Sequence, residues 1–250
     1  MTPQQFVTEE FAPLFNSRQV HFTQDEELMR QVYELRYEVY CEEYGFLPEP
    51  DYPNRREMDE HDARSLHFCA FNLKQELVGY VRLVQADAQK EFPFQSHCNL
   101  LFEGTVLPLA SRALEISRLM VRKSYRRRAG DILAGVRQSF KGLTLVHEER
   151  RNSPQILLSL YRQIYSYSLK HGIHYWYAAM ERSLARIMDR MNFGFQQLGP
   201  PTDYYGVVAP YLANIRDTEI LIGKKNQALL NWMRRPEPNG HTHEAAVTTA

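Results

Sequence analysis

Residues 113–131, ALEISRLMVRKSYRRRAGD, run from an apolar strand pattern into a basic loop that contains one glycine. The apolar residues at 114, 116, 119 and 121 predict a strand over Ala113–Val121. Because alternate residues of a strand share a face, Glu115 and Arg118 lie on opposite sides unless a bulge intervenes. One of the two charges then faces the core, where it needs a partner or a shifted pKa. The alternative is an edge strand with both charges solvated.

The loop that follows, Arg122–Gly130, carries basic side chains to the end of this strand, and a helix is predicted behind it over Ile132–Phe140. Backbone N–H groups at a helix start bind phosphate, and neighbouring basic side chains strengthen that binding. A nucleotide pyrophosphate, a phosphopantetheine arm and a nucleic-acid backbone all suit such a loop. A solvated surface loop is the other interpretation.

Helices and strands alternate irregularly on both sides of this stretch. Apolar residues at helical spacing predict a first helix that ends near Gly45, and two alternating runs predict a hairpin of His67–Asn72 and Leu77–Val84. Further along, the pattern predicts a helix over 154–171, a strand over His174–Ala179, a helix over Arg182–Met191 and two strand-like runs within 203–222. This order predicts an α+β fold with a central, mostly antiparallel sheet.

The length of 250 residues and the 44% hydrophobic content suit a chain that buries a core. We expect an N-terminal arm at residues 1–20 that does not build the domain, one domain over 21–235 and a flexible tail at 236–250. Three unclustered cysteines favour a reducing, cytoplasmic setting. The sequence shows no signal-peptide pattern and no apolar run long enough to span a membrane.

The charges balance overall but are unevenly distributed. Lys and Arg number 30 against 30 Asp and Glu, which argues against a chain that coats nucleic acid by bulk charge. Residues 25–62 carry thirteen acids and four bases, whereas residues 112–128 carry seven bases and one acid. The acidic segment is therefore a source of partners for arginines elsewhere in the chain.

Three arginines sit in apolar surroundings and need carboxylates. Arg36 lies at the flank of the apolar face of the first helix, and Arg82 is embedded in a strand pattern. A network that joins both of them and Arg118 to Asp59, Asp62 and Glu115 would satisfy every member. A purely structural lattice of ion pairs is the alternative, because such lattices are not evidence of catalysis by themselves.

Several common catalytic and ligand motifs are absent from the sequence. It contains no HExxH, GxSxG, Walker or GxGxxG pattern, so we expect no metal site and no hydrolase, NTPase or dinucleotide site of the usual kind. The aromatic cluster between Tyr161 and Tyr177 favours a core and its rim, with the wall of an acyl-chain tunnel as the alternative.

Four segments, in this order, resemble N-acyltransferases related to autoinducer (acyl-homoserine lactone) synthases in the GNAT superfamily. They are LRYEVYCEEYGF at 35–46, EMDEHD at 57–62, VGYVRLV at 78–84 and LEISRLMVRKSYRRR at 114–128. The branch they resemble is the bacterial PEP-CTERM/exosortase system-associated acyltransferases, which are related to long-chain N-acyl amino acid synthases. The resemblance implies a GNAT-like fold, in which helices flank the central sheet.

The resemblance also implies roles for individual residues. Glu115 takes a proton from the acceptor amine, directly or through a water, and the arginines hold the carboxylates and bind an acceptor carboxylate. The implied catalytic set is Arg36, Asp59, Asp62, Arg82, Glu115 and Arg118, and the implied substrate pocket contains Tyr40, Phe46 and Ser117. Phe46 stands where the synthases that use S-adenosylmethionine usually have tryptophan, which favours another acceptor.

The acyl donor is implied to lie along the end of the same strand, with its thioester carbonyl polarised by a main-chain N–H. Its implied binding residues are Leu119, Met120, Val121, Arg126, Arg127, Arg128 and Gly130. The loop only half matches the GNAT phosphate loop, and its extra arginines favour docking of an acidic acyl carrier protein.

The implied activity is transfer of a medium- or long-chain acyl group to the amine of a small acceptor, above all an amino acid. The co-substrate is an acyl carrier protein thioester or acyl-CoA, and no permanently bound cofactor is expected. Two alternatives remain open: an acyl-homoserine lactone synthase that uses S-adenosylmethionine, and a non-catalytic GNAT-like module that binds nucleic acid or an acidic partner. Nucleic acid is not the partner we expect.

Overall fold

A computed structural model describes residues 15–89, 91–125 and 153–235 of the chain. Its sheet has the strand order β1-β2-β3-β4-β5-β8-β6, with β7 paired to β8. The strands are β1 Asn16–Val20, β2 Ser65–Phe71, β3 Leu77–Val84, β4 Ala113–Val121, β5 Tyr175–Met180, β6 Gln196–Gln197, β7 Thr202–Asp203 and β8 Val207–Asn214. All neighbours are antiparallel except β4 and β5, which are parallel. The prediction of a mostly antiparallel sheet flanked by helices is confirmed.

Helices cover both faces of this sheet. They are α1 Glu26–Tyr37, α2 Pro93–His97, α3 Ser153–Lys170, α4 Arg182–Arg190, α5 Ile215–Lys225 and α6 Gln227–Arg234. Alternate residues of β2 pack in different clusters: Phe68 joins residues of α3, whereas Cys69 joins residues of α1. This division follows from the two-residue period of a strand, and it explains why every residue of β3 is buried. No helix in the described ranges is long and apolar enough to cross a membrane.

The strands and helices predicted around β4 are confirmed to within one or two residues at each end. The strand predicted over Ala113–Val121 has those bounds, and the long helix predicted over 154–171 is α3. The first helix runs as α1 and then continues as a π-helix over Glu38–Glu43. The helix predicted over Ile132–Phe140 lies outside the described residues.

Residues 16–20 correct the prediction that an arm up to residue 20 does not build the domain. They form the edge strand β1, paired along its length with β2. The pattern hid this strand because its inward residues include Ser17, whose hydroxyl donates to the carbonyl of Ser159 at 3.0 Å. A hydrogen-bonded serine thus takes an inward position that an apolar residue usually fills.

The end of the described chain corrects a second prediction. Two strand-like runs were predicted within 203–222; the structure has the end of β7 and all of β8 in this range, but residues 215–222 belong to α5. The Asn214 side chain accepts hydrogen bonds from the backbone N–H groups of Arg216 and Asp217 and so caps this helix. Ile215, Thr218 and Ile222 are its buried residues, which is a helical spacing and not an alternating one.

Candidate active site

A bulge in β4 shapes the centre of the sheet. The pairing of β3 with β4 shifts between Tyr80 and Arg82, whose partners are Met120 and Ser117. Arg118, the extra residue of β4, has φ +53°, in the left-handed region that non-glycine residues seldom adopt. The sequence analysis left open whether a bulge interrupts this strand. The bulge places Ser117 and Arg118 so that both line one cavity with Glu115.

The same bulge marks where β4 and β5 part. Their parallel pairing runs from Ala113 with Tyr175 to Ile116 with Ala178 and goes no further. Beyond that point the cavity, of about 290 Å³, lies against residues of both strands. Leu119, Met120 and Val121 line it from β4, while Ala179 and Met180 line it from β5.

A buried lattice of three arginines and three carboxylates lies behind this cavity. Arg36 donates through Nε to Glu57 at 2.5 Å and through Nη1 to Asp62 at 2.6 Å. Arg82 donates through Nη1 to both Asp59 and Asp62 at 2.6 Å. The charges balance within the group, which is the condition under which buried ions are tolerated.

Arg118 joins the lattice to the cavity. Its Nε donates to Glu57 at 3.2 Å, and its Nη2 donates to Glu57 and to Asp59 at 3.0 Å each. Its Nη1 makes no hydrogen bond to any residue that the structure describes. The guanidinium carbon lies 4.8 Å from the centre of the Tyr40 ring and 5.2 Å from that of Tyr205, so two aromatic rings hold it in place.

The arginines of the lattice keep Glu57 and Asp59 ionised. Burial alone would raise the pKa of Glu57, but the adjacent guanidinium groups of Arg36 and Arg118 lower it to about 2. Burial acts on Asp59 in the same way, and Arg82 with the other two arginines holds its pKa well below the usual range. Neither carboxylate is therefore a proton acceptor at neutral pH.

Glu115 differs from these carboxylates. It is buried and forms no ion pair with a described residue, and its Oε2 accepts a hydrogen bond of 2.9 Å from the backbone N–H of Phe94 at the start of α2. Burial raises its pKa to about 7, and the Phe94 N–H, Arg82 and Arg118 offset this only in part. Glu115 therefore exchanges a proton readily near neutral pH, which is the property of a general base.

Aromatic rings form part of the wall of the cavity. Tyr40 and Phe46 follow α1 along the chain and line the cavity, as do Tyr204 and Tyr205 from the segment before β8. The two groups meet edge to face, with the rings of Tyr40 and Tyr205 6.4 Å apart. Gly206 has φ +99°, and a Cβ there would lie 2.9 Å from the Phe46 ring, so a glycine lets the two segments approach.

The structure brings the predicted site residues together in two groups. Those that line the cavity are Tyr40, Phe46, Glu115, Ser117, Arg118, Leu119, Met120 and Val121. Those that form the lattice are Arg36, Asp59, Asp62 and Arg82, together with Arg118. Arg126, Arg127, Arg128 and Gly130 lie outside the described residues.

One member of the predicted network is corrected. Glu115 is not in the ion lattice, and Glu57 takes its place as the third carboxylate. Glu115 is buried, and its hydrogen-bond donor is a backbone N–H. Glu57 lies between two arginines. The sequence signal for Glu57 was its place two residues before Asp59. Tyr204 and Tyr205 were missed because a pair of tyrosines before a strand has no distinctive spacing.

The sequence matches one family description. Residues 35–135 match the model of the acetyltransferase (GNAT) domain. This range begins in α1 and includes the lattice, the bulge and Glu115. No curated protein matches the chain significantly.

Solved structures of three acyltransferases share the fold at low sequence identity. The AHL synthase LasI has a TM-score of 0.59 at 15% identity, over 84% of this chain and 95% of that chain. BjaI, a CoA-dependent acyl-homoserine lactone synthase solved with SAM and isopentyl-CoA, has a TM-score of 0.56 at 18% identity, over 85% and 89%. FeeM, an N-acyl amino acid synthase from uncultured soil microbes, has a TM-score of 0.50 at 15% identity, over 84% and 96%. Residues 35–135 therefore match the GNAT acetyltransferase domain, within a chain whose described residues have a GNAT-like fold.

Proposed function

We propose that this protein is an N-acyltransferase that moves a medium- or long-chain acyl group from a carrier-protein or CoA thioester to the amine of a small acceptor, an amino acid. The observation that carries the proposal is that Glu115, whose pKa is raised to about 7, and Arg118 line one cavity. The cavity opens where β4 and β5 part, so main-chain groups beyond Ile116 and Ala178 are available to the arm of a donor. The motif resemblance extends the proposal to the PEP-CTERM/exosortase-associated branch and to a bacterial, cytoplasmic setting.

The reaction uses the residues of the cavity in one addition and elimination sequence. The neutral amine attacks the thioester carbonyl, and Glu115 accepts the proton that the amine loses, directly or through a water. A main-chain N–H beside the bulge stabilises the oxyanion. The C–S bond then breaks, and the thiolate leaves and takes a proton. No acyl-enzyme is formed, so the buried Cys41 and Cys69 need no catalytic role.

Arg118 gives the acceptor its orientation in this scheme. A guanidinium is a strong donor to a carboxylate, and amino acids carry that group next to the amine. Arg36 and Arg82 are buried behind Arg118 and act through the carboxylates that hold it. This arrangement favours amino acids over simple amines.

The test is an assay of the purified protein with acyl-CoA and acyl carrier protein donors and a mixture of amino acids, followed by mass spectrometry. A new N-acyl amino acid that the Glu115→Gln variant fails to produce supports the proposal. With S-adenosylmethionine in the mixture, an acyl-homoserine lactone as the sole product would instead assign the chain a lactone synthase activity. Absence of any acylated product with every donor would reject the acyltransferase mechanism described above.

A further inference from the structure

His67 is a buried titratable residue that the mechanism above does not use. It lies in β2, pairs with Arg82 of β3 and is almost fully shielded from solvent. Both nitrogens of its ring have partners: Nε2 lies 3.0 Å from the carbonyl oxygen of Asp62, and Nδ1 lies 2.6 Å from the hydroxyl of Tyr80. Because a carbonyl can only accept, Nε2 carries the proton, and Nδ1 of the neutral ring accepts from the Tyr80 hydroxyl.

The surroundings of His67 keep its ring neutral and fixed. Burial, together with the nearby charges of Arg36 and Arg82, lowers its pKa to about 4, although the carbonyl and the charge of Asp62 oppose this shift. The ring of Phe22 stacks on it, with 5.8 Å between the ring centres. At neutral pH His67 therefore carries no charge, and its fixed Nε2–H is a directional donor to one carbonyl.

The carbonyl that His67 contacts belongs to the residue at which several lattice bonds converge. The Oδ1 atom of Asp62 accepts hydrogen bonds of 2.6 Å from both Arg36 and Arg82. Its Oδ2 atom accepts one of 2.9 Å from the backbone N–H of Asp59. Asp62 is also the first residue of a short 3₁₀-helix that leads into β2. The position of its main chain thus sets where these hydrogen bonds are made.

A short series of contacts leads from Asp62 to the cavity. Arg82 donates through Nη1 to Asp62 and through Nη2 to Asp59, the second at 2.9 Å. Asp59 also accepts from Nη2 of Arg118 at 3.0 Å, and Arg118 lines the cavity. His67 is not among the described residues that line the cavity. It can therefore influence a bound substrate only through the lattice.

We propose that His67 is a positioning residue: its hydrogen bond to the Asp62 carbonyl fixes the lattice so that Arg118 is held in the orientation that binds the acceptor carboxylate. This inference rests on the proposed function, in which Arg118 orients the acceptor. Attraction between charges depends only weakly on angle, whereas a hydrogen bond from a fixed ring places one main-chain atom. A neutral donor suits this task, because a fourth positive charge would unbalance the three arginines and three carboxylates.

Four variants separate positioning from stability. His67→Leu removes the donor, whereas His67→Gln retains an N–H donor of similar reach. His67→Leu combined with Tyr80→Phe leaves no hydroxyl without its partner, so it keeps the test valid should the single variant not fold. The matched control is Ser168→Ala, which removes the buried hydrogen bond of 2.9 Å that Trp176 donates to the Ser168 hydroxyl. Trp176 belongs to the main core, and neither residue is among those that line the cavity.

The measurement is the Kd of two probes for the purified full-length protein. N-decanoylglycine carries the carboxylate of an acylated amino acid, and N-methyldecanamide is the same molecule without it. The ratio of the two Kd values isolates the carboxylate contact, because a loss of stability or of apolar contacts affects both probes alike. Glycine has no side chain, so the probe fits whichever amino acid is the acceptor. Urea unfolding checks that each variant is folded.

We expect the wild type and the Ser168→Ala control to bind N-decanoylglycine about tenfold more tightly than the amide, or better, as a charge-assisted hydrogen bond gives. This preference should fall by about fivefold in His67→Leu and in the double variant, and stay within about twofold of the wild type in His67→Gln. A folded His67→Leu variant that keeps the wild-type preference would overturn the proposal. So would an equal loss in the Ser168→Ala control, or a His67→Gln variant that loses as much as His67→Leu.

Failure of this inference and failure of the proposed function give different results. If the wild type prefers N-decanoylglycine and His67→Leu keeps that preference, only the positioning role is rejected. If the wild type has no preference, Arg118 does not bind the acceptor carboxylate, and the proposed role of Arg118 is rejected together with that of His67. If the preference depends on His67 but no thioester donor yields an acylated product, the positioning role stands and acyl transfer is rejected.

Discussion

Glu115 and Glu57 show how the same residue type takes opposite roles within one site. Glu57 lies between two guanidinium groups, which lower its pKa to about 2. Glu115 accepts a hydrogen bond from one backbone N–H and has no ion-pair partner among the described residues, and burial raises its pKa to about 7. The number of positive charges next to each carboxylate decides the difference. Of these two glutamates, Glu115 is the one that changes its protonation state near neutral pH.

The first prediction concerns turnover. Glu115→Gln keeps the shape of the side chain but cannot accept a proton, so kcat should fall by about 100-fold or more. In the wild type, kcat/KM should rise with pH through about 7, and this limb should vanish in the variant. A pH profile with a saturating donor checks both effects. An unchanged profile in the folded variant would place the base elsewhere.

The second prediction concerns stability at the same residue. A carboxyl whose pKa is 4.5 unfolded and about 7 folded stabilises the fold at low pH, and this contribution is lost as the pH rises through 7. The Glu115→Gln variant has no carboxyl group at this residue, so it does not lose that stabilisation as the pH rises. Between pH 4.5 and pH 8, the variant should therefore gain about 3 kcal/mol of unfolding free energy relative to the wild type. Urea unfolding at both pH values measures the change, and a constant difference would contradict the raised pKa.

Among the elements, α3 and β3 pack unusually closely at one glycine. A Cβ on Gly79 would lie 2.5 Å from Cγ2 of Ile156, so the helix could not keep its present distance from the strand. Gly79 is also paired with Val121 at the end of β4. The absence of a side chain at residue 79 therefore sets how near α3 lies to the strands that support the cavity.

The third prediction follows from this contact. Gly79→Ala should destabilise the protein by about 1–3 kcal/mol through overpacking. In an Ile156→Ala background the same substitution should cost less, because the clashing methyl group is gone. Denaturant unfolding of the four proteins of this cycle gives the coupling. Equal costs in both backgrounds would mean that α3 yields without strain.

The sequence predicted the central elements well for a physical reason. β4 and α3 are long and strongly patterned, and β4 was placed at its observed bounds, Ala113–Val121. β1 was missed because its inward Ser17 is polar, and α5 was missed because its apolar residues also fit an alternating run. The bulge at Arg118 was left open as well, since it depends on pairing with β3, which lies far from β4 in sequence.

The site was predicted in part by pattern and in part by resemblance. Pattern identified Arg36, Arg82 and Arg118 as buried charges in need of partners, and the structure gives each of them carboxylates. It could not choose between Glu57 and Glu115 as a lattice member, because both are acids of similar reach. That choice depends on which carboxyl group lies between the arginines, which is a property of the tertiary fold.

At the scale of the whole molecule, the ion lattice connects segments that are distant in sequence. Arg36 comes from α1, Arg82 from β3 and Arg118 from β4, while the carboxylates come from the segment between α1 and β2. Removing one charge leaves the buried group with an unbalanced charge, which is far more costly than removing a balanced pair. The lattice therefore holds α1 and the acidic segment after it against β3 and β4.

The fourth prediction tests this coupling. Arg36→Met should destabilise the protein by about 3–5 kcal/mol, since Glu57 and Asp62 lose a buried partner. Arg36→Met combined with Glu57→Gln removes one charge of each sign and should restore part of that loss. Equilibrium unfolding in urea compares the two variants. A double variant less stable than the single one would show that the lattice does not act through charge balance.

The balance of the lattice also bears on how such a protein can diverge. Its six charged residues depend on one another, so a substitution at one of them requires a second substitution at another. Selection removes variants that carry only one of the two. The rings of Tyr40, Phe46, Tyr204 and Tyr205, which line the cavity, carry no charge that another residue must balance. Selection for a new acceptor can therefore act on these four aromatic residues one at a time, while the ion lattice is inherited unchanged.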